Sequence, residues 1–363
     1  MIKAGPLQSV VIGLSAVVAG VRGGELAILT VHPRAPDAGA GSGAHPGSRP
    51  LPGLPFGPFD PQGDRTFELA LRAFVTEQTR FELGYVEQLY TFGDKGRDAP
   101  LADLGPGLGE GDAGSGARVI SVGYLALTPP ASAAAPVSVA VEPEGDAVWS
   151  PWMRFFPWED WRGGRPASID SVIAPALRAW AAEAAPGVRE QRFTRARLLF
   201  ALDGARWNEE RVLDRYELLY EAGLAPEAAR DHARATGIAE NAPALLAHAP
   251  FALGQAMASD HRRILATGLG RLRGKLKYRP VVFELAPQAF TLLELQRTVE
   301  AIAGVKLHKQ NFRRVVERSG LVEGLGRMHA ETGGRPAELF RYRREVVEAM
   351  PAFGLSLPGV PEG

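Results

Sequence analysis

The chain has 363 residues, of which 45% are hydrophobic and 23% charged, and its 41 Lys and Arg balance 41 Asp and Glu. That length predicts two or three domains with a sizeable core. The absence of cysteine excludes disulfides, thiolate zinc sites and cysteine nucleophiles, and it is compatible with a cytoplasmic protein. The apolar start is short and is interrupted by Gly13 and Gly20, so we expect no membrane partner.

The first third of the chain predicts strands and one helix. Ser9–Val31 is typical of a β-hairpin with its turn at residues 22–25, and Tyr85–Phe92 and Val119–Leu127 are strand-like. Between them, Phe67–Thr79 has apolar residues at helical spacing. A strand pair, a helix and further strands indicate an α+β sandwich.

The segment that ends in this helix resembles a Nudix box, in which several glutamates on one helix face hold the divalent ions that activate water. Aligned on Arg72, the pattern places Ala73 and Thr76 where glutamates are required, and leaves Glu77 with a distant Asp64. Such a set is a poor metal cage, so we expect the fold without hydrolysis and without a metal site. The alternative interpretation is a helix of an unrelated sandwich.

The chain from Asp170 to about Pro250 is rich in Ala and Leu and is predicted to be mostly helical, with Glu209–Ala222 as its clearest helix. An aromatic cluster precedes it. Such a cluster could stack on an adenine but more often forms core or a domain contact. Its members are Trp152, Phe155, Phe156, Trp158 and Trp161.

His261–Lys277 is predicted to be a basic amphipathic helix with Asp260 as its N-cap. Ile264 and Leu269 are among its inward residues. The apolar run Pro280–Leu285 that follows predicts a strand.

The next segment has the order of a winged helix-turn-helix. Thr291 caps a first helix that Gly304 ends, and a second helix carries Phe312, Val315 and Val316 on its apolar face. A basic hairpin follows, and in this motif the second helix enters the major groove. The residues we expect at DNA are His308, Lys309, Asn311, Arg313 and Arg314 on the second helix, together with Arg327 and the wing residues Gly333, Gly334 and Arg335.

Charge supports this interpretation. From His261 to Arg344 the chain has 18 Lys and Arg against 7 Asp and Glu, a net charge of +11, so the remainder carries −11. A neutral total therefore conceals a basic module attached to an acidic one. The alternative is a solvated basic helix pair with no nucleic-acid partner.

Several of these segments together resemble the Nudix-related transcriptional regulators of NAD metabolism, over about half to two thirds of the chain. They are residues 86–98, 118–127, 260–304, 311–314 and 333–343. The resemblance implies a homodimeric repressor in which a Nudix-like effector domain precedes a winged helix-turn-helix on a palindromic operator. It implies a nucleotide effector and no required cofactor.

The chain also departs from the better-known members, because about 100 residues (158–259) are inserted before the basic linker helix. That block resembles the larger alphaproteobacterial regulators of de novo NAD synthesis, for which the family implies NAD- or ATP-like effectors rather than only ADP-ribose. We therefore expect a Nudix-like α/β/α sandwich at 1–160, a helical insertion at 161–259, a linker helix and DNA-binding domain at 260–345, and a tail at 346–363.

The resemblance places the effector in the cleft of the degenerate Nudix-like domain. An arginine suits a pyrophosphate and an aromatic ring suits a base. The function predicted is a repressor of NAD biosynthesis or salvage genes controlled by NAD, ATP or ADP-ribose. The alternatives are an active Nudix hydrolase of ADP-ribose or a related dinucleotide, and a bifunctional protein. The effector residues we expect are Arg72, Glu77, Tyr90, Phe92, Asp94 and Arg97.

Overall fold

A computed structural model gives the fold of this protein. No helix within its described part is both long and apolar enough to cross a membrane. The residues that the structure describes are 10–31, 51–79, 81, 83–94, 118–129, 147–236, 252–329 and 336–345.

The first domain is built on one mixed six-stranded sheet with the order β4-β5-β1-β2-β6, in which β3 pairs with β1. The central pair β1–β5 is parallel and the other pairings are antiparallel. One helix, α1 (Phe67–Thr79), follows β3 with the bounds predicted for it. The strands are β1 (Val10–Arg22), β2 (Glu25–Val31), β3 (Phe56–Pro58), β4 (Tyr85–Phe92), β5 (Arg118–Leu127) and β6 (Ala147–Pro151).

The turn between β1 and β2 confirms the predicted hairpin. Arg22 pairs with Glu25, so the loop consists of Gly23 and Gly24 alone. Both glycines have positive φ, at 58° and 81°. A two-residue turn of this hand matches the twist of the flanking strands and requires residues that tolerate positive φ.

Alternate side chains of β1 pack into two different hydrophobic cores, one on each face of the sheet. Leu14 and Val18 pack with Leu71 and Val75 of α1 on one face of the sheet. Val17 on the other face belongs to a larger apolar cluster that includes the helices of the second half. Side chains of a strand alternate between faces, so the sheet is covered on both sides and forms the middle of an α/β/α sandwich.

The layer on the second face comes from the helical segment that the sequence predicted and from the basic helix predicted after it. Its helices are α2 (Ala174–Ala182), α3 (Pro186–Leu199), α4 (Val212–Glu221), α5 (Pro226–Thr236) and α6 (His261–Lys275). The aromatic cluster lies in this layer, and its first four members are fully buried, so the prediction of core is confirmed. A single apolar cluster includes Val17, Phe200, Leu265 and Ile302. Residues on both sides of the predicted boundaries at 160/161 and 259/260 share this one core, and the domain boundaries given above stay predictions.

Of two predictions around α6, one is wrong and the other is confirmed in position only. Residues Val281–Leu285 form a 3₁₀ turn and not a strand. A short apolar run does not distinguish the two by periodicity, and here Val281, Val282 and Leu285 are all buried. Asp260 occupies the N-cap position, but its side chain makes no capping hydrogen bond and lies 3.4 Å from Arg263.

The C-terminal part has the predicted order of helix, turn, helix and hairpin, with its own three-stranded sheet in the order β7-β9-β8. This arrangement confirms the predicted fold class, an α+β chain that ends in a winged helix-turn-helix. Its elements are β7 (Phe290–Thr291), α7 (Leu292–Ala303), α8 (Lys309–Ser319), β8 (Val322–His329) and β9 (Ala337–Tyr342).

Candidate functional site

The first helix of the helix-turn-helix, α7, is fixed at both ends. The Thr291 hydroxyl accepts a hydrogen bond from the Glu294 amide at 3.2 Å, and the Glu294 carboxylate accepts one from the Thr291 amide at 2.7 Å. This capping box supplies hydrogen-bond acceptors to two backbone amides that have none within the helix. Gly304 ends the helix at φ +72°. Leu295 and Ile302 are buried against the body of the protein, so α7 cannot be a free surface helix.

The second helix, α8, has no buried residue. Only the partly buried Phe312 and Val316 pack against the core. Its basic side chains are therefore free to meet a partner: within the described part of the chain, none of them forms an ion pair. They are Lys309, Arg313, Arg314 and Arg318.

Two side chains of the predicted site take positions other than those expected. Val315, assigned to the apolar face with Val316, is 64% exposed, because α8 meets the protein only along a narrow strip and consecutive helical residues lie about 100° apart. His308 is the N-cap of α8 and makes no capping bond there. Asn311 accepts a hydrogen bond from Arg314 at 3.1 Å, so these two side chains form one polar group on the exposed surface.

The wing is described in part. Arg327 is exposed on β8, as expected of a residue that meets DNA. Gly333, Gly334 and Arg335 lie outside the described residues.

The linker helix α6 is as basic as α8, but acids elsewhere in the protein neutralise it. Arg273 contacts Glu159 at 2.5 Å, Lys275 contacts Glu87 at 2.6 Å, and Arg262 contacts Glu227 at 3.2 Å. The net charge of +11 counted from the sequence therefore overstates the charge available to a partner. Among the described residues, the four cations of α8 are part of the charge that remains available.

The α1 side of the sheet holds two of the six predicted effector residues. Arg72 donates to Glu68 at 2.9 Å and to the carbonyl oxygens of Leu83 and Gly84 at 2.5 and 3.1 Å. These bonds attach the segment after α1 to the helix. Glu77 is exposed on the same helix.

The opposite side of the sheet holds three more. Tyr90 is 66% exposed, and its ring lies 6.0 Å from that of the buried Phe92. Asp94 contacts Arg263 of α6 at 2.7 Å, and the Arg263 guanidinium lies 5.6 Å from the Phe92 ring. Arg97 lies outside the described residues. The structure thus brings Tyr90, Phe92 and Asp94 together and separates them from the pair on α1.

Sequence reasoning missed Glu87, which lies on β4 beside the predicted effector residues. Its carboxylate accepts from Arg271 and Lys275 of α6 and from the Tyr85 hydroxyl. Burial alone would raise the pKa of Glu87, but the hydrogen bonds from Lys275 and Tyr85 outweigh it and the pKa is lowered. The i, i+4 spacing of Arg271 and Lys275 gave a signal for one shared acid, but nothing in the sequence said which.

Metal-ligating side chains do not gather at this site: across the described ranges, no three His, Cys, Asp or Glu side chains lie close enough to hold an ion.

Comparison with known protein families gives a match in the C-terminal part of the chain. Residues 282–342 match the family model of the NrtR DNA-binding winged helix domain. The chain carries an NrtR-type winged helix. The match covers α7, α8 and both wing strands, and it confirms the resemblance to the Nudix-related regulators that the sequence indicated.

A curated relative supports the same assignment. The chain is 40% identical over 86 residues to the "ADPR responsive transcriptional repressor NtrR" of Acinetobacter baylyi (strain ATCC 33305 / BD413 / ADP1). That match covers 24% of this chain and 34% of the relative, so it spans about a third of the relative's length.

Two solved structures are similar to this chain at low identity and low TM-score. The crystal structure of Shewanella oneidensis NrtR complexed with a 27mer DNA is 20% identical, with a TM-score of 0.49, over 93% of this chain and 95% of that one. The NUDIX domain of Shewanella oneidensis NrtR complexed with ADP ribose is 22% identical, with a TM-score of 0.27, over 41% of this chain and 79% of that one. Because both TM-scores are below 0.5, the similarity we rely on is that of the winged helix.

Proposed function

We propose that this protein is a homodimeric, DNA-binding transcriptional repressor of NAD biosynthesis or salvage genes, controlled by a nucleotide effector. The observation that carries the proposal is α8. This helix follows a rigidly capped α7 in a segment that matches a DNA-binding winged helix, and it exposes four cations with no acidic partner in the described part of the chain. A helix of this kind enters the major groove in the winged helix-turn-helix motif.

The polar side chains of α8 suit two kinds of DNA contact, to base edges and to phosphates. Asn311 and Arg314 share a hydrogen bond on the exposed surface and have the chemistry to read adenine and guanine edges. Lys309, Arg313 and Arg318 suit phosphates, which fix the register of a protein on the duplex. In a dimer, two copies of α8 would read half-sites about one helical turn, roughly 34 Å, apart, so the operator would be palindromic.

For the effector we propose ADP-ribose. The relative that shares 40% identity with this chain is named as ADPR responsive. The region we favour is the β4 edge near Tyr90 and Asp94, where an exposed aromatic ring could stack on a base. Arg97 follows β4 in the sequence, and an arginine suits a pyrophosphate. NAD and ATP are the other effectors to test.

A hydrolase has less support. Catalysis would need several carboxylates on α1, but Ala73 and Thr76 occupy two of the required positions, and Glu68 is paired with Arg72. Glu77 remains as one exposed carboxylate on that helix.

The test begins with selection of an operator from a random duplex pool by the full-length protein. Arg314→Ala should then weaken binding by about 1–3 kcal/mol if Arg314 reads a base. Arg197→Ala, which removes an exposed arginine from α3, should leave binding unchanged. If no sequence is enriched and Arg314→Ala behaves as wild type, the DNA-binding proposal is wrong.

The effector is tested on the same operator. Calorimetry with ADP-ribose, NAD and ATP shows which ligand binds, and that ligand should change operator affinity roughly 5- to 150-fold. If none of the three binds, the effector half of the proposal is wrong, and the DNA-binding half stands on the operator experiment.

A further inference from the structure

Glu159 is a fully buried carboxylate at the end of a 3₁₀ turn (Pro157–Glu159) that follows β6. Arg215 of α4 donates to its two oxygens at 2.5 and 2.9 Å. Arg273 of α6 donates to it at 2.5 Å. Both arginines are also buried, so one carboxylate neutralises two cations in the interior. A buried group of this kind requires close geometry, because each charge has lost its water.

The same residues bind the helix-turn-helix. Arg273 donates to the carbonyl oxygen of Ile302, near the end of α7, at 2.9 Å, and to the backbone carbonyl of Glu159 at 3.1 Å. The amide of Trp161 donates to the carbonyl oxygen of Gly304 at 2.6 Å. The last carbonyls of a helix lack partners within it. Here Arg273 and Trp161, which lie outside the helix-turn-helix, supply those partners. We call Glu159, Trp161, Arg273, Ile302 and Gly304 the Glu159 junction.

Gly304 is the point of closest approach in the Glu159 junction. A Cβ atom on it would lie 2.6 Å from the Arg273 guanidinium and would also clash with the backbone oxygen of Glu159. Gly320, which ends α8, has almost the same φ, +66° against +72°, but a Cβ there meets nothing within 4 Å. The chain thus offers two glycines with equal backbone demands, of which only one is packed against the body.

Other residues of α6 are bound to the candidate effector edge. Arg263 contacts Asp94, and Arg271 and Lys275 contact Glu87 of β4. One helix therefore connects β4 to the turn of the helix-turn-helix. A ligand that moves β4 changes the surroundings of α6, and α6 contacts the turn through Arg273.

We infer that Glu159 is a positioning residue for DNA binding, which holds the turn before α8 through Arg273, and that the effector response passes through the Glu159 junction. This inference rests on the proposed function and adds a route for its regulation. Glu159 contacts neither the candidate DNA surface nor the candidate effector edge, so its action is entirely through other residues. The inference also gives the segment that begins at Trp158 a role, which is to make the turn part of the body.

The first experiment compares Gly304→Ala with Gly320→Ala in the full-length protein. Two quantities are measured: the hydrogen exchange rate of the Trp161 amide, and the ratio of operator affinities with and without the ligand that calorimetry identifies. Gly304→Ala should expose the Trp161 amide to exchange and bring the affinity ratio close to one. Gly320→Ala carries the same backbone strain without the clash, so it should keep both wild-type values.

The second experiment compares two buried glutamates that each pair with an arginine of α6. Glu159→Gln should abolish the effector response, whereas Glu227→Gln, at the far end of α6 beside Arg262, should keep it. Both substitutions break a buried ion pair, so a general loss of stability would affect both. Reduced midpoints of thermal unfolding in both, with the response lost only in Glu159→Gln, separate positioning from stability.

The inference is overturned if Gly304→Ala keeps both the Trp161 protection and the effector response, or if Gly320→Ala loses them equally. It is also overturned if wild type binds operator and ligand without any change in affinity. If no operator is found at all, the proposed function is wrong, and the Trp161 exchange rates still decide whether the Glu159 junction holds the turn.

Discussion

Helices α6 and α8 are both short, basic and amphipathic, yet their charges differ in what they contact. Helix α6 has five basic side chains and no acid, and those charges are neutralised by carboxylates of the body, among them Glu87, Glu159 and Glu227. Helix α8 has four basic side chains that remain exposed and have no acidic partner among the described residues. The number of charges in the sequence does not distinguish a helix whose cations are neutralised from one whose cations are available. The partner of each charge does.

The largest expected effect is a difference in the free energy of unfolding between a variant in α6 and a variant in α8. Arg262→Ala removes a fully buried guanidinium from α6 and leaves Glu227 unpaired, which should lower the free energy of unfolding by about 3–5 kcal/mol. Arg314→Ala removes an exposed one from α8 and should change it by less than about 0.5 kcal/mol. Urea denaturation of both variants measures the difference. Equal losses would contradict the distinction between a structural and a functional basic helix.

The next effect concerns the first residue of α6. Burial lowers the pKa of His261 from 6.5 to about 4, and its Nδ1 accepts a hydrogen bond from the Leu54 amide at 3.0 Å. The unfolded chain binds this proton more readily, so stability is complete above pH 6.5 and falls as the pH drops towards 4. The full loss is about 3 kcal/mol.

Unfolding measured from pH 7.5 down to pH 4 tests this, with His261→Asn as the control. The asparagine oxygen can accept the same hydrogen bond and does not titrate. The variant should show a flatter dependence of stability on pH. A slope identical to wild type would mean that His261 does not cause the acid sensitivity.

The smallest effect compares two arginines that are both accessible. Arg271 of α6 is paired with Glu87, whereas Arg318 of α8 is unpaired among the described residues. Arg318→Ala should reduce the salt dependence of operator binding by about one phosphate contact. Arg271→Ala should leave it unchanged and cost at most about 1 kcal/mol of stability. Fluorescence anisotropy across a series of salt concentrations gives both slopes, and an equal decrease would show that α6 also meets DNA.

Local signals explain which elements the sequence could predict. The hairpin turn at Gly23 and Gly24, the bounds of α1 and the N-cap at Thr291 all depend on neighbouring residues, and all three predictions are confirmed. The prediction of a strand at Pro280–Leu285 was wrong, because a short apolar segment fits a strand or a 3₁₀ turn equally well.

The parts that could not be predicted depend on contacts between distant residues. Glu159 and Arg273 are 114 positions apart, and their spacing carries no local signal. Arg72 and Glu77 lie on α1, which packs on one face of the sheet, whereas Phe92 of β4 packs into the core on the other face. A single sequence gives residue types along the chain, and the folding of the sheet decides which of them meet.

The parallel pairing of β1 with β5 has a consequence for the newly made chain. Val10 pairs with Arg118, so the middle of the sheet cannot form until more than a hundred residues have been synthesised. Its second face, which includes Val17 and Leu125, is covered only by segments made later, up to Ile302. Sheets with such distant contacts form slowly, and an uncovered apolar face favours aggregation. The sheet therefore depends on the later helices for its solubility during synthesis, and a fragment that ends before α6 should be insoluble.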